Sequence, residues 1–120
     1  MPASYEIDPD RRLVTCRVWG VLTGPELIAH YHALRADPAF DSGYRQLADL
    51  TEARQLTATA DELRAAATMN AFAPGARRAI IAPTDIAYGM ARMFAVFAEG
   101  DEQQIEVFRD ARGATDWVTW

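Results

Sequence analysis

Leu47-Ala48-Asp49-Leu50-Thr51, followed shortly by Leu56-Thr57-Ala58-Thr59-Ala60-Asp61-Glu62-Leu63, carries the reading of the whole chain. The first segment has the character of a buried strand ending at an acidic turn. The second opens a helix on a hydroxyl. Thr59 and Glu62 have capping-box spacing, and Leu63, Ala66, Ala67 and Asn70 extend the helix beyond them. Where a strand hands its chain to a helix N-terminus, free backbone N–H groups and the helix dipole converge, which suits an anion. A chain built from such units is an α/β protein.

Upstream, Tyr5-Glu6-Ile7 and residues 13–19 flank the turn tripeptide Asp8-Pro9-Asp10, whose proline fixes φ. The two runs predict an antiparallel hairpin, its second strand weakening through Gly20 to Val21-Leu22. Thr23-Gly24-Pro25-Glu26 starts a first helix, with Thr23 and Glu26 again at capping-box spacing. Leu27, Tyr31 and Leu34 mark its buried stripe, and Asp37-Pro38 ends it. A third strand is expected over 45–50.

Downstream, Ala73-Pro74-Gly75 stops the second helix. Residues 78–82 read as a strand buried on both faces. Thr84 or Asp85 caps a third helix, with Ile86, Met90, Met93, Phe94 and Phe97 as its apolar stripe and Gly100 at its end. Residues 104–108 form the last strand, and Ala114 to Trp117 starts a terminal helix. The order is ββαβαβαβα. It predicts one domain over residues 1–120, with a mixed, mostly parallel five-stranded sheet, an N-terminal antiparallel hairpin and packed helices.

Composition narrows the function classes. Half of the 120 residues are apolar, as in folded globular protein, and the formal net charge is -5. That charge argues against a nucleic-acid partner, which would need a concentrated basic face. All twelve basic residues are arginine; Arg11-Arg12 and Arg77-Arg78 are the adjacent pairs, each flanking an expected strand. No apolar run approaches the roughly 20 residues of a membrane span, and Met1-Pro2-Ala3-Ser4-Tyr5 has no signal-peptide pattern. Cys16 is the only cysteine, so no internal disulfide can form. In an apolar strand it reads as a small hydrophobe in a reducing, cytoplasmic setting.

Several signatures are spread along the chain: Gly20 before the Thr23 helix start, Asp37-Pro38-Ala39-Phe40 after the first helix, Tyr-Gly-Met-Ala-Arg-Met-Phe over 88–94, and Val-Phe-Arg-Asp over 107–110 followed by Trp117. With the Asp49-Leu50-Thr51 segment and the helix opening at Thr59, the chain resembles the SpoIIAA-like branch of the STAS fold, a bacterial group related to anti-sigma factor antagonists. The resemblance covers nearly the whole chain. It implies the STAS fold and a protein partner in regulation. In the antagonists, a serine in Asp-Ser-Ser-Gly-Leu is phosphorylated. That serine falls on Thr59, while the flanking positions are Thr57, Ala58, Ala60 and Asp61, so only the hydroxyl persists. The antagonists' Asp-Leu-Ser survives better, as Asp49-Leu50-Thr51.

The candidate binding residues are Asp49, Thr51, Thr59, Tyr88 and Arg92. Thr59 is a phosphosite candidate or an N-cap; Asp61 and Glu62 would repel a phosphate and favour the cap. Asp49 and Thr51 are expected at the end of a central strand, where open α/β sheets bind ligands; Asp49 could instead make an Asx-turn. Tyr88 and Arg92 are one helical turn apart, and Arg92 suits a carboxylate or phosphate. His30 and His32 lie two apart on a helix and cannot face one metal, so no metal or cofactor is expected. No nucleophilic triad or glycine-rich phosphate loop occurs.

The leading expectation is a non-enzymatic STAS-like module that binds a protein partner or a small ligand, without an intact phosphorylation motif. It is expected to be a homodimer through the opening hairpin with Trp19, Trp117 and Trp120. The alternatives are a carrier of lipid or small apolar ligands, with a pocket beside Met90, Met93 and Phe97, and an enzyme using Asp49 or Tyr88 and Arg92.

Overall fold

A computed structural model describes residues 2–119. In chain order the elements are β1 (Ala3–Asp8), β2 (Leu13–Leu22), α1 (Gly24–Ala36), β3 (Arg45–Leu56), α2 (Ala60–Ala67), β4 (Arg77–Ile81), α3 (Asp85–Ala98), β5 (Gln104–Phe108) and α4 (Ala111–Thr119). A 3₁₀ turn (Glu99–Asp101) follows α3. The sheet order is β1-β2-β3-β4-β5, with β1 antiparallel to β2 and the other pairs parallel. This is the architecture the sequence predicts.

Helices α1, α2 and α3 cover one face of the sheet, as right-handed crossovers between successive parallel strands require. The main core lies beneath them, with Val14, Cys16 and Ile80 from the strands against Tyr31, Leu34, Leu63, Phe72 and Phe94. Helix α4 alone packs on the opposite face, where Ala114 and Val118 meet Leu13, Ala79 and Ile81. Trp117 of α4 packs with Phe108 of β5, their rings 5.9 Å apart. Trp120, included in the expected dimer contact, lies outside the described residues.

The short motifs have local explanations. Thr23 makes the expected capping box with Glu26. In Asp37-Pro38-Ala39-Phe40, Asp37 Oδ1 accepts from the Ala39 amide at 2.9 Å and Oδ2 accepts from the Tyr5 hydroxyl at 2.8 Å. Those hydrogen bonds, the Ala39 amide first, hold the Asp37 carboxyl below its ordinary pKa. Phe40 then lays its ring edge-on to Phe72 at 5.2 Å. The tetrapeptide thus ends α1, ties it to β1 and closes the core.

Four expectations are corrected. First, β3 continues six residues past Leu50, to Leu56. It leaves β4 at Asp49 but stays paired with β2 through Leu22 opposite Leu56, across two register shifts, and Gly20 takes a left-handed φ of 63° between them. Asp49-Leu50-Thr51 therefore lies within a strand. The acidic and alanine residues after it have weak strand propensity, and pairing with β2 overrides that.

Second, α2 ends at Ala67 rather than near Asn70. Thr68 turns its hydroxyl back to donate to the Arg64 carbonyl at 2.8 Å, and Asn70 adopts a left-handed φ of 56°.

Third, the buried row of α3 is Ala87, Ala91, Phe94 and Ala98. Ile86 is 74% exposed and Met93 40% exposed. The period is the expected one, displaced by one residue. Alanines let the helix backbone approach the sheet, so the bulkier apolar side chains are pushed to the flanks and outward.

Fourth, α4 begins at Ala111, where Asp110 Oδ1 accepts from the Gly113 amide at 2.8 Å. Smaller shifts are confined to element ends.

Candidate functional site

Between β3 and α3, where the β2–β3 pair runs on beyond β4, the layers leave a cavity of about 80 Å³. Its existence follows from the extension: Leu22, Leu50 and Leu56 form a wall that β4 does not back. Leu63, Met90 and Phe94 close it from the helix side. The wall is almost wholly apolar. The lining residues that carry polar side-chain atoms, Cys16, His30, Tyr31 and Gln46, adjoin one another.

Those residues belong to a buried cluster centred on Arg78, which is only 3% exposed. Arg78 Nε donates to Gln46 Oε1 at 2.9 Å, Nη1 to Gln103 Oε1 at 2.9 Å, and Nη2 to the Tyr31 hydroxyl at 3.1 Å. Gln103 is held in turn, its Nε2 donating to the Phe72 carbonyl at 3.0 Å. The Gln46 amide donates to the Tyr31 hydroxyl at 3.2 Å and to Cys16 Sγ at 3.4 Å. The guanidinium carbon lies 4.6 Å from the ring centre of Phe72, 5.6 Å from Phe94 and 5.7 Å from Tyr31.

No carboxylate pairs with Arg78 among the described residues. Every acceptor is neutral. A buried unpaired charge costs on the order of several kcal/mol even after relaxation, and each cation–π contact offsets roughly 0.5–2 kcal/mol of that. Arg78 is therefore an interior positive charge partly compensated by dipoles and ring faces.

Burial also sets the protonation of its neighbours. It pushes the Cys16 thiol up to about 11, so Cys16 is a protonated, inert small side chain, as its setting in the sequence predicts. It lowers His30 below its ordinary value and favours the neutral imidazole. His30 is 5% exposed and meets Tyr5 and Tyr31 edge-on.

The residues singled out by sequence lie elsewhere. Asp49 Oδ1 accepts from the Thr51 amide at 2.9 Å, the Asx geometry, and the Thr51 side chain is exposed. Thr59 is the N-cap of α2: its hydroxyl accepts from the Glu62 amide and Glu62 Oε1 accepts from the Thr59 amide. Such a cap is worth about 1 kcal/mol. The Glu62 carboxyl lies so close to Gly24 that a Cβ there would overlap it, which binds the first turns of α1 and α2 together. Tyr88 is half-buried beneath Arg109, whose guanidinium lies 4.2 Å from the ring centre and also pairs with Asp85 at 2.8 Å. Arg92 is exposed and lines a polar groove of about 500 Å³ with Glu99, Gln104 and Glu106. Asp49 and Thr51 are brought together. No hydrogen bond, ion pair or ring contact joins Thr59, Tyr88 or Arg92 to them or to each other among the described residues.

Sequence reasoning missed His30, Gln46, Arg78 and Gln103. A usable signal existed for two of them. Gln46 and Arg78 share the inward parity of Ala48 and Ile80, two residues on, and they sit opposite each other in the β3–β4 register.

No family model matches the chain, and no curated protein matches its sequence. Among solved structures, the chain is similar to an uncharacterized protein from the DUF3478 family with a SpoIIAA-like fold, from Shewanella loihica PV-4. The TM-score is 0.62 and the identity 21%, over 97% of this chain and 93% of that chain. The fold is thus SpoIIAA-like, as the sequence signatures imply. No helix among the described residues is long and apolar enough to cross a membrane.

Proposed function

We propose that this domain is a non-enzymatic, STAS-like binding module that takes a small apolar ligand in the cavity under α1–α3. The observation that carries this reading is the pocket itself: a half-open concavity with an almost wholly apolar wall between the sheet and the helices. Apolar concavities of this kind are where small apolar ligands bind. The pocket expected beside Met90, Met93 and Phe97 shares only Met90 with this one. The state of Thr59 supports a module without the phosphorylation switch, because its hydroxyl is engaged in a capping box beside two carboxylates. A cytoplasmic setting suits the single buried cysteine.

Benzene or xenon binding, read from shifts of the Leu63 and Met90 methyl resonances, is the direct test. Binding is expected in the natural protein. It is expected to vanish in Ala48→Leu, which fills the cavity from β3. A natural protein that takes up neither probe removes the reading.

A second reading is supported by the exposed apolar surface. Ile86, Met93 and Val96 lie on the outer side of α3, and Trp19 and Val21 lie on β2, all exposed. A protein partner suits these residues, with a second copy of the chain as the simplest case and Arg92, beside the α3 row, as a contact at its rim. Light scattering at tens of micromolar is expected to give a dimer mass, and Met93→Asp to give a monomer. A monomer in the natural protein refutes self-association.

A further inference from the structure

We infer that the ligand of the interior cavity is an apolar monocarboxylic acid. Its hydrocarbon body would lie against the leucine, methionine and phenylalanine wall, and its carboxylate at the end formed by His30, Tyr31 and Gln46. The inference rests on the reading of the cavity as a ligand site. It adds the chemistry of the head group.

Three observations converge. The first is charge. Arg78 is buried, its three acceptors are neutral, and none of the described carboxylates pairs with it. Three of its five N–H donors are engaged by these neutral groups, so the charge has no anionic partner among the described residues. The second is Tyr31, 5% exposed and on the cavity wall. Its hydroxyl oxygen accepts from both Gln46 and Arg78, and its own proton has no acceptor among the described residues. The third is His30, also 5% exposed and on the same wall. It makes no hydrogen bond to any described residue, and its ring meets those of Tyr5 and Tyr31 edge-on. A neutral imidazole there presents one N–H and one bare nitrogen.

The end of the cavity therefore holds an unpaired hydroxyl proton and an imidazole N–H, with a positive charge balanced only by neutral groups one hydrogen bond behind them. A carboxylate is acceptor-only and carries one negative charge, so it answers both. An alcohol or primary amide would bring a further donor and no charge. An ammonium group would meet the field of Arg78. A phosphate would bring more charge and polar surface than this wall can solvate. Arg78 does not line the cavity; it acts through Tyr31 and Gln46 as a positioning residue. The recognition step forms no covalent bond.

Calorimetry of the natural protein with hexanoate, hexanol and hexylamine separates the possibilities. Hexanoate is expected to bind at least tenfold more tightly than hexanol, and hexylamine not at all. In Tyr31→Phe, which keeps the ring and removes only the hydroxyl, hexanoate and hexanol are expected to fall within about twofold of each other. The Arg78 Nε resonance is expected to move with hexanoate and not with hexanol. Equal binding of acid and alcohol by the natural protein overturns the carboxylate and leaves the apolar site standing. An undiminished preference in Tyr31→Phe overturns the placement of the head group at this wall. Failure of all three ligands together with benzene defeats the cavity reading itself, and this inference with it.

Discussion

Arg78→Ala is expected to lower the unfolding free energy by about 3–5 kcal/mol, read as a shift in the urea midpoint. The loss has two sources. Gln46 Oε1 and Gln103 Oε1 each lose their guanidinium donor in a region that water does not reach. The faces of Phe72, Phe94 and Tyr31 lose the group that fills the space between them. Arg78→Met separates these sources. It restores most of the volume without the charge, and exchanging an unpaired buried ion for an apolar side chain is often neutral or stabilising. It is therefore expected to recover more than half of the loss. A midpoint for Arg78→Ala within experimental error of the natural protein would show that the cluster has no structural weight. A loss for Arg78→Met equal to that of Arg78→Ala would assign the whole effect to the hydrogen bonds.

Phe72→Ala is the second large effect, expected to cost about 3–5 kcal/mol in the same measurement. Phe72 is 1% exposed and lies on the chain between α2 and β4. It links three parts of the molecule. Its ring receives the edge of Phe40, its face lies under Arg78, and its carbonyl anchors the Gln103 amide. The last contact is a backbone one and survives the substitution, so the variant should lose packing while keeping the Gln103 anchor. Because Phe72 and Arg78 touch, their losses should not add: a coupling of about 0.5–3 kcal/mol is expected in the double variant. Strict additivity would mean that the ring and the guanidinium are energetically independent, against the 4.6 Å separation.

The fold was legible because its punctuation is local. Thr23/Glu26 and Thr59/Glu62 fix two helix starts through bonds that span three residues, and both capping boxes form. Asp8-Pro9-Asp10 fixes the hairpin in the same way: the amides of Asp10 and Arg11 bond to Asp8 Oδ1. What depends on partners distant in sequence was not legible. β3 reads as ending at Leu50 because nothing in Thr51-Glu52-Ala53-Arg54-Gln55 calls for a strand; the pairing with Trp19 to Leu22 supplies that. The phase of α3 was missed for a related reason. Apolar residues occupy nearly the whole helix, so hydrophobicity alone cannot pick the buried side, and the close approach of the backbone selects the alanines.

The candidate site was legible only in outline. Asp49 and Thr59 were visible as polar residues at expected element ends and Tyr88 as a polar residue on a helix face, and each is engaged by another group. The Arg78 cluster draws on β2, α1, β3, β4 and the approach to β5, separated by up to 87 positions from Cys16 to Gln103 (103 − 16), and no spacing rule covers that distance. Arg77-Arg78 illustrates the difficulty: adjacent strand residues face opposite ways. Arg77 reaches the Trp117 carbonyl on the α4 side, while Arg78 enters the core.

The strand order β1-β2-β3-β4-β5 never doubles back, and the three crossovers run over one face. Sheets whose order reverses have a switch point, where neighbouring loops part and open a crevice at the strand tips. This sheet has none. Its room for a guest is instead a half-open apolar pocket between the sheet and the helices. A guest there would be sorted first by the shape of its hydrocarbon body, because the wall is almost wholly apolar.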